Sequence, residues 1–418
     1  MQIEEKDYME DFLIKAKNAA KIIANLKPSF KTKVLHEFAN SIRQNYSVII
    51  DANALDLKHA KNDNLSCSII DRLRLNQERI EAMAKAIEEI AALREPVGRI
   101  LDGWVVPNGL RIEKVTTPIG VVGIIYESRP NVTSDTAALC FKSGNICVLK
   151  GGKEAEKSNK AIVTAIQESL QRFDLPLEAV SLLPDSSREG VAKLIKMDKY
   201  VDVIIPRGGA SLISFISQNS TIPVVKHDKG VCHVYIDDEA DLKKAMDIAV
   251  NAKCSRPSAC NALETLLVHK NIAHKILPEL NERFLQAGTE LRGCENTAKI
   301  IEVKEAKDDD YGREYLDNIL CIKVVNDLDD AIEHITRYGS LHSEVIITEN
   351  YTKAEKFMQN IDAACIYVNA SSRFTDGGEF GFGAEVGIST NKLHARGPMG
   401  INELTTYKYK VYGEGQIR

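Results

Sequence analysis

The 418-residue chain carries 54 lysines and arginines against 59 aspartates and glutamates, a formal net charge of −5. Its 44% hydrophobic and 27% charged residues are those of an ordinary globular protein, which excludes disordered, collagen-like and disulfide-scaffold chains. At roughly 150 residues per domain, this length predicts two or three domains.

The slight acidity leaves no basic footprint for nucleic acid. No stretch approaches the roughly 18 apolar residues of a membrane span. The N-terminal MQIEEKDYMEDF is acidic and has no apolar signal core, so a cytoplasmic protein is expected. There are nine cysteines, an odd number, and neither CxxC nor HExxH occurs. A disulfide framework and a metal site are therefore not expected.

The first hundred residues read as helices. Val34, Leu35, Phe38, Ile42 and Ile49 fall near helical spacing, with Pro28 and Ser29 at a helix start. Leu73, Ile80, Met83, Ile87 and Ile90 repeat the pattern before Pro96 and Gly98 break it. From residue 112 short apolar runs alternate with helical stretches: 121–126, 146–150, 179–183, 201–206, 223–226 and 231–236. Continuous apolar runs separated by helices predict a parallel sheet covered on both faces. Ligands of such a sheet lie at the carboxyl ends of its strands.

A second α/β set follows, with strands expected at 262–269, 319–325, 344–348 and 364–369. EVKEAKDDDYGREY (302–315) reads as a charged surface loop. The glycine-dense DGGEFGFGAEVGIS (376–389) precedes a tail, LTTYKYKVYG, with β-former alternation. The fold class is therefore α/β: two doubly wound domains and a small β arm.

No G-x-G-x-x-G follows any strand. Three loops nevertheless leave strand ends with suitable residues: 126–133, Lys150-Gly151-Gly152-Lys153, and Arg207-Gly208-Gly209. Each is an ordinary turn when taken alone. Together, at consecutive strand ends, they point to free N–H groups and helix starts for phosphates. Cys260, in KCSRPSACNALETLLVH, stands in a polar loop after Arg256. Cationic neighbours favour a thiolate nucleophile. Cys254 competes for that role, and a buried inert thiol is the plain alternative for either. His334 and His342 flank a turn where two imidazoles suit an anion. His394 neighbours Arg396. The other histidines read as bland.

TPIGVVGIIYESRPNVTSDTAALCFKSGN (117–145), RPSACNALETLLVH (256–269), AIEHITRYGSLHSEVI (331–346) and LHARGPMGINELTTYKYKVYG (393–413) resemble the γ-glutamyl phosphate reductase branch of the aldehyde dehydrogenase superfamily. The resemblance covers essentially the whole chain. It implies NADPH-dependent reduction of L-glutamyl 5-phosphate to the 5-semialdehyde and phosphate, the second step of proline synthesis, through a thioester on Cys260. By the same resemblance Asn131 and the Cys260 backbone N–H are expected as oxyanion donors. Lys150, Gly151, Gly152, Lys153, Arg207, Gly208, Gly209 and Glu385 are expected at the cofactor, and Glu127, Arg129, Arg256, His342, Ser343 and Arg396 at the substrate. The implied domains are 1–102 with 119–253 for the cofactor, 254–385 for catalysis, and an oligomerisation arm of 103–118 with 390–418.

Three departures from the superfamily pattern carry information. His227, in HDKGVCH, stands where hydrolytic relatives carry a water-activating Glu, which suits a thioester that must meet hydride. Lys153 stands where NAD-using relatives often carry a Glu for the adenine ribose, which favours a 2′-phosphate and hence NADPH. Cys254 near Cys260 raises an oxidative Cys254–Cys260 disulfide as a hypothesis. A homo-oligomer, dimer or tetramer, is expected, together with a separate glutamate 5-kinase as a transient partner. A CoA-acylating dehydrogenase and a non-catalytic relative remain as alternatives.

Overall fold

The computed structural model describes residues 8–226 and 229–418, and only the backbone of Cys67 and Ser68. The chain divides into two compact units, Met1–Lys226 with Gly381–Gly387 and Met399–Arg418, and His227–Phe380 with Ile388–Pro398.

The first unit begins with helices α1 (Tyr8–Ile23), α2 (Pro28–Gln44), α3 (Tyr46–Asn62), α4 (Cys67–Leu73) and α5 (Gln77–Ala92). The predicted apolar stripe of α2 is buried, with Val34, Leu35, Phe38 and Ile42 all inaccessible. Strands β1 (Ile100–Val105) and β2 (Arg111–Pro118) lead into β3 (Val121–Tyr126). Then come α6 (Pro130–Lys142), β4 (Ile146–Lys150), α7 (Glu156–Arg172), β5 (Val180–Leu182), α8 (Arg188–Leu194), β6 (Val203–Arg207) and α9 (Ala210–Asn219). The sheet order is β5-β4-β3-β6, all parallel. Strand order reverses between β3 and β6, so the loops at 127–130 and 207–210 leave a topological switch point. Every residue of β3 is buried, as a strand covered on both faces requires.

The second unit holds β7 (Cys232–Ile236), α10 (Leu242–Cys254), β8 (Leu263–His269), α11 (Lys270–Gln286), β9 (Glu290–Gly293), α12 (Glu295–Ala298), β10 (Lys304–Glu305) and α13 (Asp308–Tyr311). It continues with β11 (Ile319–Val325), α14 (Leu328–Tyr338), β12 (Ser343–Ile347), α15 (Tyr351–Asn360) and β13 (Cys365–Val368). Its parallel sheet runs β10-β9-β11-β8-β7-β12-β13. A short pair, β14 (Gly387–Ser389) and β15 (Gly397–Met399), lies where the chain passes between units. Strand β16 (Thr405–Tyr412) completes an antiparallel sheet of order β1-β2-β16.

Three expectations are corrected. The run 231–236 belongs to the second sheet, because β7 pairs with β8 and β12. The boundary therefore falls at 226/227 rather than 253/254. The segment 381–387 groups with the first unit, so Glu385 is not part of the catalytic domain. The run 223–226 forms no strand, only a bridge from Val224 to Ile204.

The second unit encloses an ion pair in its core. Lys253 Nζ lies 2.8 Å from Glu264 Oε2, and both side chains are buried. Burial pushes the Glu264 carboxyl up to about 7, against the pull of Lys253. Its other oxygen accepts from the Tyr315 and Leu316 N–H groups. Removing one partner of a buried pair costs about 3–5 kcal/mol, because the other charge is left uncompensated. Lys253→Met is expected to destabilise the protein by that order in urea unfolding. Lys253→Met combined with Glu264→Leu should recover most of the loss.

Candidate active site

In the first unit the switch-point loops are built on carboxylates. Glu127, the first residue after β3, donates its N–H to the Arg207 carbonyl at 3.2 Å. Its Oε2 accepts from the Gly209 N–H at 2.9 Å. Gly209 is the N-cap of α9, so Glu127 sits at the positive end of that helix. A Cβ on Gly208 would come within 2.7 Å of the Glu127 carboxyl carbon, so a larger residue there would have to shift that carboxylate. Ser128 adopts a positive φ of 43°. The Glu154 carboxylate holds it, accepting from both its N–H (2.7 Å) and its hydroxyl (2.6 Å). Arg129 is the N-cap of α6.

Asn131 is exposed in the first turn of α6. Its amide donates to Asp135 Oδ2 at 3.0 Å. Burial pushes Asp135 up to about 6, with the Asn131 amide and the Arg207 guanidinium pulling it back. Arg207 also approaches Glu385, with guanidinium and carboxylate 3.7 Å apart. The structure thus gathers Glu127, Asn131, Arg207, Gly208, Gly209 and Glu385 at one end of the first sheet. Sequence reasoning misses Asp135, since an Asp inside an apolar helical run reads as a surface residue.

The Lys150–Lys153 loop lines a different recess. A cavity of about 420 Å³ opens at the carboxyl ends of β4 and β5. Lys150, Gly151, Gly152, Lys153 and Lys160 are among its walls. A Cβ on Gly151 would lie 2.0 Å from the Asn159 amide, so this loop closes tightly on α7.

In the second unit Cys260 stands on the loop joining α10 to β8, half-buried. Two turns shape the loop, Ala259 N–H to Arg256 O and Ala262 N–H to Ala259 O, both near 3.0 Å. Asn261 is buried and donates to the carbonyls of Arg373 (3.3 Å) and Thr375 (2.8 Å). The Ser372 hydroxyl donates to Asn261 O at 2.7 Å. From the other side the chain at Gly230 comes so close that a Cβ there would sit 1.9 Å from the Cys260 carbonyl oxygen.

Positive charge surrounds this loop. Arg373 Nε donates to the Ser255 hydroxyl at 3.2 Å. Burial and the neighbouring Arg256 push the Arg373 guanidinium below its usual range, while Cys260 and Asp376 oppose this. Arg256 itself is exposed. Sequence reasoning misses Arg373 because SSRF follows a strand with no turn signature. Glu314, in the supposed surface loop, is half-buried and accepts from the Gly230 N–H, and burial raises its carboxyl above the usual range. That segment is partly ordered core rather than a solvated loop, for Asp310 and Tyr311 are also buried.

The remaining expectations divide. His342 and Ser343 are fully buried under the Cys260 loop and offer substrate no open face. Arg396 is paired with Asp362 at 2.7 Å. His334 is buried against Lys323, 3.0 Å away, and does not share an anion with His342. The Cys254 thiol faces the Thr289 hydroxyl at 3.4 Å, and the thiol that meets the Cys260 backbone is Cys232. His227 lies outside the described residues.

A sequence model of the aldehyde dehydrogenase family matches residues 2–307. The chain belongs to the aldehyde dehydrogenase family. Within that family it groups with the γ-glutamyl phosphate reductases. It is 63% identical over 410 residues to the γ-glutamyl phosphate reductase of Wolinella succinogenes, covering 98% of this chain and all of the relative. The crystal structure of the Thermotoga maritima γ-glutamyl phosphate reductase superposes with a TM-score of 0.97 at 48% identity, covering 99% of this chain and all of that one. An acetylating aldehyde dehydrogenase from Geobacillus thermoglucosidasius shares the fold, with a TM-score of 0.70 at 20% identity, covering 98% of this chain and 97% of that one. The chain is thus an aldehyde dehydrogenase-fold oxidoreductase.

Two outcomes test this family geometry. Gly230→Ala should displace the Cys260 peptide and lower kcat/KM by about a hundredfold, with the thermal midpoint checked to show that the variant is folded. Asp135 has an elevated folded pKa, so its contribution is complete below about pH 4 and is lost as pH rises through about 6. Asp135→Asn is therefore expected to stabilise the protein at pH 8 by up to about 3 kcal/mol. It should bring no gain at pH 4. Thermal melts at the two pH values measure the difference.

Proposed function

We propose that the protein reduces L-glutamyl 5-phosphate to L-glutamate 5-semialdehyde and phosphate, with NADPH, through a thioester on Cys260. The observation that carries this reading is the Cys260 loop, in which a half-buried thiol on a pinned backbone interacts with the Arg373 guanidinium, itself beside Arg256. The full-length likeness to proteins named for this reaction supports it.

The cysteine thiolate attacks the acyl carbon, and phosphate leaves. Arg256 and Arg373 supply positive charge for the thiolate and for the departing phosphate. The Cys260 N–H serves as a donor to the developing oxyanion, and the family resemblance implies the Asn131 amide as a second. Asn131 keeps a second amide hydrogen beyond the one given to Asp135. The thioester is reduced by hydride, which is the chemistry the dinucleotide supplies when bound. Cys260 then departs as thiolate, and the aldehyde is released.

The residues present fit such a cofactor. The cavity at β4 and β5 presents three lysines, Lys150, Lys153 and Lys160, which suits a 2′-phosphate and therefore NADPH. Arg207, Gly208, Gly209 and Glu385 stand at the switch point, where dinucleotides bind in such sheets. Among the candidate substrate contacts, Arg256 is the exposed one in the nucleophile loop. Glu127 holds the loop at Gly209, Arg129 stands at the start of α6, and Arg396 is held by Asp362.

The antiparallel sheet β1-β2-β16 exposes Trp104, Val105, Tyr409 and Val411. Its outer strands, β1 and β16, are sheet edges, which favours pairing with a second copy in a dimer or tetramer. Among the described residues no helix is long and apolar enough to cross a membrane. A cytoplasmic enzyme supplied by a separate glutamate 5-kinase fits the chemistry, because an acyl phosphate is labile.

The reverse reaction tests the whole reading. Purified protein, glutamate semialdehyde, phosphate and NADP⁺ should give NADPH absorbance that requires phosphate, exceeds that with NAD⁺, and vanishes in Cys260→Ala. Turnover without phosphate would mean a hydrolytic dehydrogenase. Turnover with CoA in place of phosphate would mean an acylating one.

A further inference from the structure

We infer that His342 and Ser343 are positioning residues for Cys260, acting through a closed ring of buried hydrogen bonds rather than by touching substrate. The inference rests on the reading of Cys260 as nucleophile. The ring begins and ends on the nucleophile loop. The Cys232 thiol donates to the Cys260 carbonyl, with sulfur and oxygen 3.4 Å apart. His342 Nδ1 lies 3.7 Å from the same sulfur and 2.9 Å from the Ser343 hydroxyl. The Ser343 hydroxyl meets the Thr375 hydroxyl at 2.6 Å. Thr375 closes the ring, since its carbonyl accepts from the Asn261 amide at 2.8 Å. The Tyr367 hydroxyl braces Thr375 at 2.7 Å.

Cys232, His342, Ser343 and Thr375 are all fully buried. In that position they are screened from water, so each hydrogen bond is stronger and each lost partner costlier. Burial pushes the Cys232 thiol well above its ordinary pKa, so it remains a donor at neutral pH. The four residues come from three places in the chain: the start of β7, the start of β12, and the turn after β13. What they share is the loop above them. They grip it at two successive residues, the carbonyl of Cys260 and the side chain of Asn261, which fixes the peptide between them. A nucleophile held this way attacks along one line, and a displacement of about 1 Å costs on the order of a hundredfold in rate.

The role differs from substrate binding in what it predicts for the free enzyme. Cys260 alkylation by iodoacetamide without substrate, followed by mass spectrometry of the Cys260 peptide across pH, reads the loop directly. His342→Leu and Ser343→Ala are expected to lower kcat about tenfold or more, with KM within about twofold. They should also change the rate or pH midpoint of Cys260 alkylation. His342→Asn, which offers an amide near the place of Nδ1, and Ser343→Thr should recover much of both. If His342→Leu fails to fold, Ser343→Ala and Thr375→Val decide the matter by the same readouts. A rise in KM with kcat and alkylation unchanged would overturn the inference in favour of a substrate contact, and unchanged values throughout would overturn it outright. Cys260→Ala separates the two levels. If that variant keeps turnover, the nucleophile reading fails, and the positioning role fails with it. If it is inactive while the ring variants behave as wild type, only the positioning role fails.

Discussion

Lys253 and Glu264 close the base of the Cys260 loop, one at the end of α10 and the other at the start of β8. Neither charge has access to water, so each exists in the core only because of the other. The pair therefore ties together the two feet of residues 255–262. The second Glu264 oxygen extends this constraint to the backbone at 315–316, which places Glu314 beside Gly230. Gly230 in turn presses on the Cys260 carbonyl. One buried ion pair thus links three segments that meet at the Cys260 backbone.

The first unit solves a similar problem with different means. Its loops at strand ends are held by carboxylates on backbone N–H groups, Glu127 on Gly209 and Glu154 on Ser128. Both occupy positions that an anionic ligand would also favour, because both stand where N–H groups converge. A phosphate arriving at α9 meets a carboxylate already in place, and the Arg207 guanidinium nearby is the group that can offset the two negative charges. The Lys150–Lys153 recess instead gathers three lysines in its walls, which makes it the more permissive anion site of the two.

Much of this is legible in the sequence, and the failures have physical causes. Strands such as 121–126 and 319–325 can be read correctly because an unbroken apolar run bounded by polar turns fits little else. Cys260 draws notice in the sequence through its arginine and proline neighbours, and the structure puts it half-buried on the loop before β8. Strand 231–236 falls to the wrong sheet in a linear reading because pairing is a long-range property, and its partners lie in β8 and β12. The segment 302–315 looks solvated because its charges outnumber its apolar residues. Yet Asp310 is held by Arg292 and Tyr315, and Tyr311 packs against His334. The family resemblance places His342 and Ser343 at the substrate, yet both are fully buried. Their burial follows from the strand register, which no local pattern reveals. Arg373 carries no signal at all until the chain is folded.

The position of Cys260 departs from the usual rule for parallel sheets. In the first unit the candidate cofactor residues follow strands, at carboxyl ends where succeeding helices point their positive ends. The Cys260 loop precedes its strand. It follows the carboxyl end of α10, an end that offers a thiolate no positive dipole. In the proposed reaction the positive charge comes from side chains. Arg256 and Arg373 meet that need, although two guanidinium groups then stand close enough to repel each other. In the proposed reaction an anion beside them, the thiolate or the departing phosphate, relieves the repulsion. Of the two arginines, Arg373 is the one the linear sequence conceals.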